Sequence, residues 1–172
     1  MEKGCVQVYT GDGKGKTTAM LGLAVRASGA NLRVYIGQFV KSMEYHEVEV
    51  IRNFLPNVSI ELYGLGCAIE RKLTEEDVQA AKKGLKKARE AIFSGKYDIV
   101  MLDEINIAIY LKLLDTSSVL ELMKTKPTNV ELILTGRFAP DEIVSAADLV
   151  TEMAEIKHYY ANGVLARDGI ER

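Results

Sequence analysis

Cysteine, histidine and charge of a single sign are all scarce in this chain of 172 residues. Cys5 and Cys67 are the only cysteines. They are too few for a disulfide framework and lack the C-x-x-C spacing of a zinc site, so a reducing, cytoplasmic setting is expected. The two histidines, His46 and His158, stand far apart with no serine or cysteine pattern beside them. A nucleophilic triad therefore has no support, and His158 is expected to be structural or to contact substrate. Lys and Arg total 22 against 24 Asp and Glu, a net charge of -2, which gives no electrostatic case for nucleic acid or a membrane surface and favours a small-molecule or protein partner. No apolar run approaches the ~20 residues of a membrane helix. Met1-Glu2-Lys3 leads straight into the first expected strand, so no signal or transit peptide is expected. The length suits one domain spanning residues 1–172.

Compact apolar or β-branched runs predict strands at Cys5–Tyr9, Arg33–Phe39, Val58–Leu62, Asp98–Leu102, Glu131–Thr135 and Asp148–Thr151. Helical patterns fall between them at Lys16–Ser28, Glu44–Phe54, Thr74–Ser94, Glu104–Leu114, Ser117–Lys124 and Pro140–Ala146. Alternation of this kind predicts an α/β fold, a mainly parallel sheet with helices on both faces. The unbroken Ile99-Val100-Met101-Leu102 agrees, because central parallel strands are buried on both sides. Gly29 and Gly95 sit where left-handed C-caps are expected, and Thr74 before Glu75-Glu76-Asp77 reads as an N-cap. The lysines that follow read as a solvated helix face.

What the chain does have is Tyr9-Thr10-Gly11-Asp12-Gly13-Lys14-Gly15-Lys16-Thr17-Thr18, set between the first strand and the first helix. In that setting a G-K-T turn is a phosphate loop: backbone N–H groups turn inward, the helix N-terminus adds partial positive charge, Lys16 adds a full one, and Thr17 offers a hydroxyl to Mg²⁺. The spacing is irregular. Position 10, five residues before Gly15, holds threonine where glycine is usual, and a second lysine, Lys14, lies inside the loop. A conventional phosphoryl-transfer loop and a more permissive loop that holds the triphosphate in another register both remain open.

About ninety residues later, the apolar strand ends in Asp103-Glu104. In phosphate-loop proteins a neighbouring strand brings such a carboxylate to Mg²⁺ opposite the loop threonine. Alternation predicts that one of Asp103 and Glu104 meets the metal while the other orients water or the loop. The alternative is two acids that merely open the next helix. Thr135-Gly136-Arg137 ends a further strand, at the edge where open α/β sheets bind ligands, so Arg137 is either a phosphate contact or a surface arginine.

Taken in order, the loop Thr10–Thr18, Gly22 to Arg26, Gln38-Phe39-Val40-Lys41, Leu102-Asp103-Glu104-Ile105-Asn106, Thr135-Gly136-Arg137, Ala147 to Met153, Lys157-His158 and Gly169-Ile170-Glu171 resemble the corrinoid adenosyltransferases of the CobA/BtuR/CobO type. The resemblance covers nearly the whole chain. It implies a recombinase-type P-loop NTPase-like fold, a cytoplasmic homodimer, and transfer of the 5′-deoxyadenosyl group of ATP to the Co(I) of a reduced corrinoid, cobalamin or a precursor, with release of triphosphate. It also implies Mg²⁺, ATP bound in a reversed sense, a flavoprotein as reductant, and Arg26 as a further nucleotide contact.

Implied roles follow residue by residue. Lys16, Thr17 and Glu104 are the expected catalytic residues, with Thr17, Glu104 and Asp103 around the metal. Gly11, Asp12, Gly13, Lys14, Gly15, Thr18, Arg26 and Arg137 are expected to bind nucleotide. Family members carry a Gly-x-Gly-Phe-Thr-Trp segment whose aromatics exclude the lower axial ligand of the corrinoid. Here the segment reads Gly64-Leu65-Gly66-Cys67-Ala68-Ile69, so Cys67 and Ile69 are expected to face the corrinoid, with a less dehydrated lower face or a different corrinoid preference. Two other readings stay in play: a P-loop ATPase or kinase acting on the γ-phosphate, and a paralogue that binds nucleotide or corrinoid without turnover.

Overall fold

The computed structural model describes residues 2–41, 43, 45–65 and 72–171. Six strands, β1 (Val6–Thr10), β2 (Val34–Phe39), β3 (Val58–Tyr63), β4 (Ile99–Asp103), β5 (Glu131–Thr135) and β6 (Leu149–Glu152), form one sheet of order β3-β2-β4-β5-β1-β6. Every pairing is parallel. The connecting helices are α1 (Lys16–Gly29), α2 (His46–Phe54), α3 (Glu75–Phe93), α4 (Ile105–Tyr110), α5 (Thr116–Thr125) and α6 (Asp141–Ala146), with a 3₁₀ turn at Tyr159–Asn162.

Strand alternation divides the core into two layers. Val34, Ile36, Ile99, Met101 and Ile133 face α1 and α2, where Met20, Ala24, Val48 and Ile51 meet them. Tyr35, Phe39, Val100, Leu102, Leu132 and Leu134 face the other way, against α3, α4, α5 and α6. β2 and β4 are buried along their whole length, as strands covered on both faces must be. Each fully buried aliphatic side chain contributes about 1.5–3 kcal/mol relative to exposure. Both layers thus fix the carboxyl ends of the central strands, where the phosphate loop and the acidic pair sit.

The expected elements are present, with boundary changes that have local causes. α1 runs through Gly29 and ends in a Schellman turn: Leu32 N–H donates to Ala27 O, Asn31 N–H to Ser28 O, and Asn31 takes the left-handed position at φ 59. Gly29 is therefore not the left-handed cap; asparagine is the residue besides glycine that best tolerates that geometry. Gly95 does adopt it, at φ 68. α4 stops at Tyr110 instead of reaching Leu114, because Lys112 turns left-handed at φ 58 and Leu113 N–H donates back to Ala108 O, which buries Leu113. Thr74 caps α3 as expected, its N–H and hydroxyl both meeting Asp77 Oδ2, at 2.8 and 3.1 Å. α2 begins at His46; Glu44 lies outside the described residues. No described helix is long and apolar enough to cross a membrane.

Candidate functional site

The loop between β1 and α1 is shaped by a crossing chain. Gly13 N–H donates to Met153 O at 2.7 Å, and Met153 N–H donates to Thr10 O at 2.9 Å. A Cβ on Gly11 would lie 2.5 Å from Met153 O, and one on Gly13 2.7 Å from the same atom. These glycines are needed because another backbone passes over them, and Gly13 N–H is committed to that backbone. Donors for an anion come from further along. The α1 ladder opens with Ala19 N–H to Gly15 O at 2.7 Å, so the amides of Lys16, Thr17 and Thr18 form its unpaired first turn.

The two loop lysines differ. Lys16 is buried, and its Nζ donates to Gly11 O at 2.6 Å and Gly13 O at 2.7 Å. Burial lowers its pKa first, and the nearby Arg137 charge lowers it further, against the opposing carboxylates of Glu104, Asp12 and Asp103. Lys14 points away, to Glu171 at 2.8 Å, Ile170 O at 3.0 Å and the Tyr159 hydroxyl at 3.2 Å. Arg167, Lys14 and Tyr159, in that order, hold the Glu171 carboxyl far below the ordinary carboxylate range.

That clamp is charge-dependent, with a definite sign. The depressed carboxyl contributes stability that is complete above its ordinary value of 4.5 and is lost as pH falls through the lower folded value. Glu171→Gln is expected to remove it at neutral pH, raising amide hydrogen exchange in residues 159–171 several-fold while that of β4 is unchanged. Equal exchange in both proteins would show that the clamp holds nothing.

β4 is not the neighbour of β1, as the acidic motif suggested; β5 lies between them. The acid still reaches α1. Asp103, fully buried, accepts from Thr135 Oγ1 at 2.6 Å, Lys41 Nζ at 2.7 Å, Thr17 Oγ1 at 3.0 Å and Gln38 Nε2 at 3.1 Å. Glu104 leaves the strand at φ 58, a left-handed conformation for a non-glycine residue, and its N–H donates to Thr135 Oγ1 at 3.0 Å. Burial raises the Glu104 carboxyl pKa first and the Asp103 charge next, while Lys41, Lys16 and Arg137 oppose them. The turn thus brings both acids to one end of β4. Asp103 is saturated by donors, whereas the Glu104 carboxylate has no hydrogen-bond partner among the described residues.

Arg137 follows Gly136 (φ 127), is exposed, and acts electrostatically on both Lys16 and Glu104. Arg26 lies in the last turn of α1, roughly 15 Å of helix rise from Lys16, beside Tyr9 and outside this cluster. Asp12 and Thr18 are exposed at the loop. Cys67 and Ile69 lie outside the described residues. His158 accepts from Tyr160 N–H and packs against the Tyr159 ring, capping the 3₁₀ turn. His46 pairs with Asp168 at the surface. Three further residues meet Asp103 without any local sequence pattern that singles them out: Gln38, Lys41 and Thr135. Gln38 is the register partner of Asp103 across β2 and β4, so the strand order was the signal needed to find it.

Thr17, Asp103 and Glu104 offer hard oxygen donors, the chemistry that Mg²⁺ requires. Among the described residues no group of three or more His, Cys, Asp or Glu can enclose a metal alone. The residues therefore fit an ion completed by phosphate oxygens and water, the usual state of Mg²⁺ at a nucleotide.

A parallel sheet that presents a lysine-threonine loop at one carboxyl edge, with a buried acid bonded to that threonine, defines an α/β protein of the P-loop type. The particular family follows from comparison. Residues 2–172 match the model for ATP:corrinoid adenosyltransferase BtuR/CobO/CobP, and the chain belongs to that family. It is 38% identical over 173 residues to a corrinoid adenosyltransferase of Sinorhizobium sp, covering 99% of this chain and 81% of the relative. It is 33% identical over 171 residues to one of Pseudomonas aeruginosa, covering 99% and 84%. For one of Escherichia coli K12 the identity is 32% over 172 residues, covering 99% and 86%. The chain is thus an enzyme of adenosyl transfer from ATP to a corrinoid.

Proposed function

We propose that this enzyme moves the 5′-deoxyadenosyl group of ATP onto the Co(I) of a reduced corrinoid and releases triphosphate. The Co(I) electron pair forms the new bond to C5′, and the broken C5′–O bond leaves its pair on the triphosphate. Co(I) is a strong nucleophile, so the protein needs no base to create one. Its tasks are to hold C5′ in line with cobalt and to stabilise the departing anion. The observation that carries this reading is the convergence of Lys16, Thr17, Asp103 and Glu104 around one loop, with both histidines engaged elsewhere.

In this reading the amides of Lys16, Thr17 and Thr18 grip the triphosphate, and Gly11, Asp12, Gly13 and Gly15 shape the turn. Lys16 and Arg137 neutralise the leaving charge. Lys14 acts indirectly, by tying the loop to Glu171. Thr17, Asp103 and Glu104 would hold Mg²⁺, which would add positive charge at the polyphosphate. Arg26 would meet a more distant part of ATP, and Cys67 and Ile69 the corrinoid. The chain would work as one domain of residues 1–172, as a cytoplasmic homodimer, with a flavoprotein supplying electrons.

Anaerobic incubation with ATP, Mg²⁺ and chemically reduced cobalamin tests this. Expected products are a light-sensitive adenosylated corrinoid and one triphosphate for each cobalt–carbon bond. ADP and phosphate without that corrinoid would mark γ-phosphoryl transfer instead, and tight binding without a new bond would mark a carrier.

A further inference from the structure

Lys41 reaches Asp103 from an unusual turn. Val40, just after β2, has φ 64, and Lys41 N–H donates back to Phe39 O at 2.7 Å. A hydrogen bond between residues two apart around a positive-φ residue is the rarer, strained γ-turn, and β-branched residues suit it least. Strain of this kind persists only where the surroundings enforce it. Gly64 is part of that enforcement: a Cβ there would lie 2.4 Å from the Val40 carbonyl carbon and 2.5 Å from Lys41 O.

The turn puts Lys41 Nζ 2.7 Å from Asp103 Oδ2 and 3.2 Å from Thr17 Oγ1. Those are two of the oxygens the proposed function gives to the metal. An ammonium at those distances and an ion coordinated at about 2.0–2.1 Å exclude each other. Lys41 keeps 20% of its side chain exposed, so it has a path outward, whereas Asp103 has none. We propose that Lys41 is a tethered placeholder for the divalent cation: it neutralises buried Asp103 until the metal takes the position, and it therefore sets how tightly the metal binds. The consequence is a site that resists filling by free ions. This inference rests on the assignment of Thr17 and Asp103 to the metal.

The test is titration of the full-length protein with Mn²⁺ alone, a hard-oxygen substitute for Mg²⁺, read by loss of the free-ion electron paramagnetic resonance signal. Lys41→Gln, which can still donate to Asp103, is expected to bind Mn²⁺ at least about tenfold more tightly than wild type. Lys41→Arg, which keeps the charge, is expected to bind no more tightly than wild type. Thermal melting without metal verifies that both variants fold, and Mn²⁺ should raise the melting temperature of Lys41→Gln more than that of wild type. Equal or weaker binding by Lys41→Gln overturns the placeholder. A gain that survives in Lys41→Gln/Thr17→Val would place the ion elsewhere and overturn the metal assignment beneath it.

Discussion

Lys16→Ala is expected to lower kcat for adenosyl transfer by about a thousandfold or more, with a smaller change in KM for ATP. Two losses combine. The ammonium that offsets the charge of the departing triphosphate disappears, and that charge is largest in the transition state, so kcat falls more than binding does. The loop also loses its internal tie, since Lys16 Nζ holds the carbonyls of Gly11 and Gly13. Each such charge-assisted bond contributes about 1.5–3 kcal/mol. Lys16→Arg is not a rescue, because the planar guanidinium cannot occupy the same buried position between two carbonyls of one turn. Single-turnover kinetics with reduced cobalamin would separate the two effects. A variant with kcat within tenfold of wild type would remove Lys16 from the chemistry.

The second large effect is expected at Asp103. Removing its carboxylate in Asp103→Ala strands the Lys41 ammonium and leaves Gln38, Thr17 and Thr135 without their shared acceptor. Breaking a buried pair from one side typically costs about 3–5 kcal/mol, so a marked fall in unfolding free energy should accompany loss of turnover. Asp103→Ala/Lys41→Met should recover part of the stability, because the second change removes the stranded charge, but none of the activity. Urea denaturation with and without Mg²⁺ reads the first quantity and the adenosylation assay the second. A stability loss below about 1 kcal/mol in Asp103→Ala would show that the four contacts are incidental.

The phosphate loop and the acidic pair are legible in the residues because local pattern carries them: strand, glycine turn and helix are contiguous, and the apolar run before Asp103 reads as a strand buried on both faces. Their joint geometry is not. Register and strand order are long-range properties, and the position of β5 between β1 and β4 decides that Thr135, rather than a residue of β1, supports Asp103 and the Glu104 turn. Lys41 appeared within a recognisable motif, yet its role depends on the strained backbone at Val40, which no propensity scale anticipates in a valine. Lys14 looked like a phosphate contact for the sound reason that it lies in the loop. Glu171, 157 positions away, claims it instead. The left-handed turns at Asn31 and Lys112 are not legible in the sequence because glycine, the usual sign of such geometry, is absent from both.

The ceiling that Met153 places over Gly11 and Gly13 has a temporal consequence. β1 leaves the ribosome first, but its partners β5 and β6 and the strand-end oxygen that receives Gly13 N–H follow more than a hundred residues later. During translation, therefore, Gly13 N–H lacks its carbonyl partner, and β1 both of its neighbours, until those later segments have emerged. The loop conformation is thus completed by the last strand of the sheet, a non-local contact that the chain can close only late in folding.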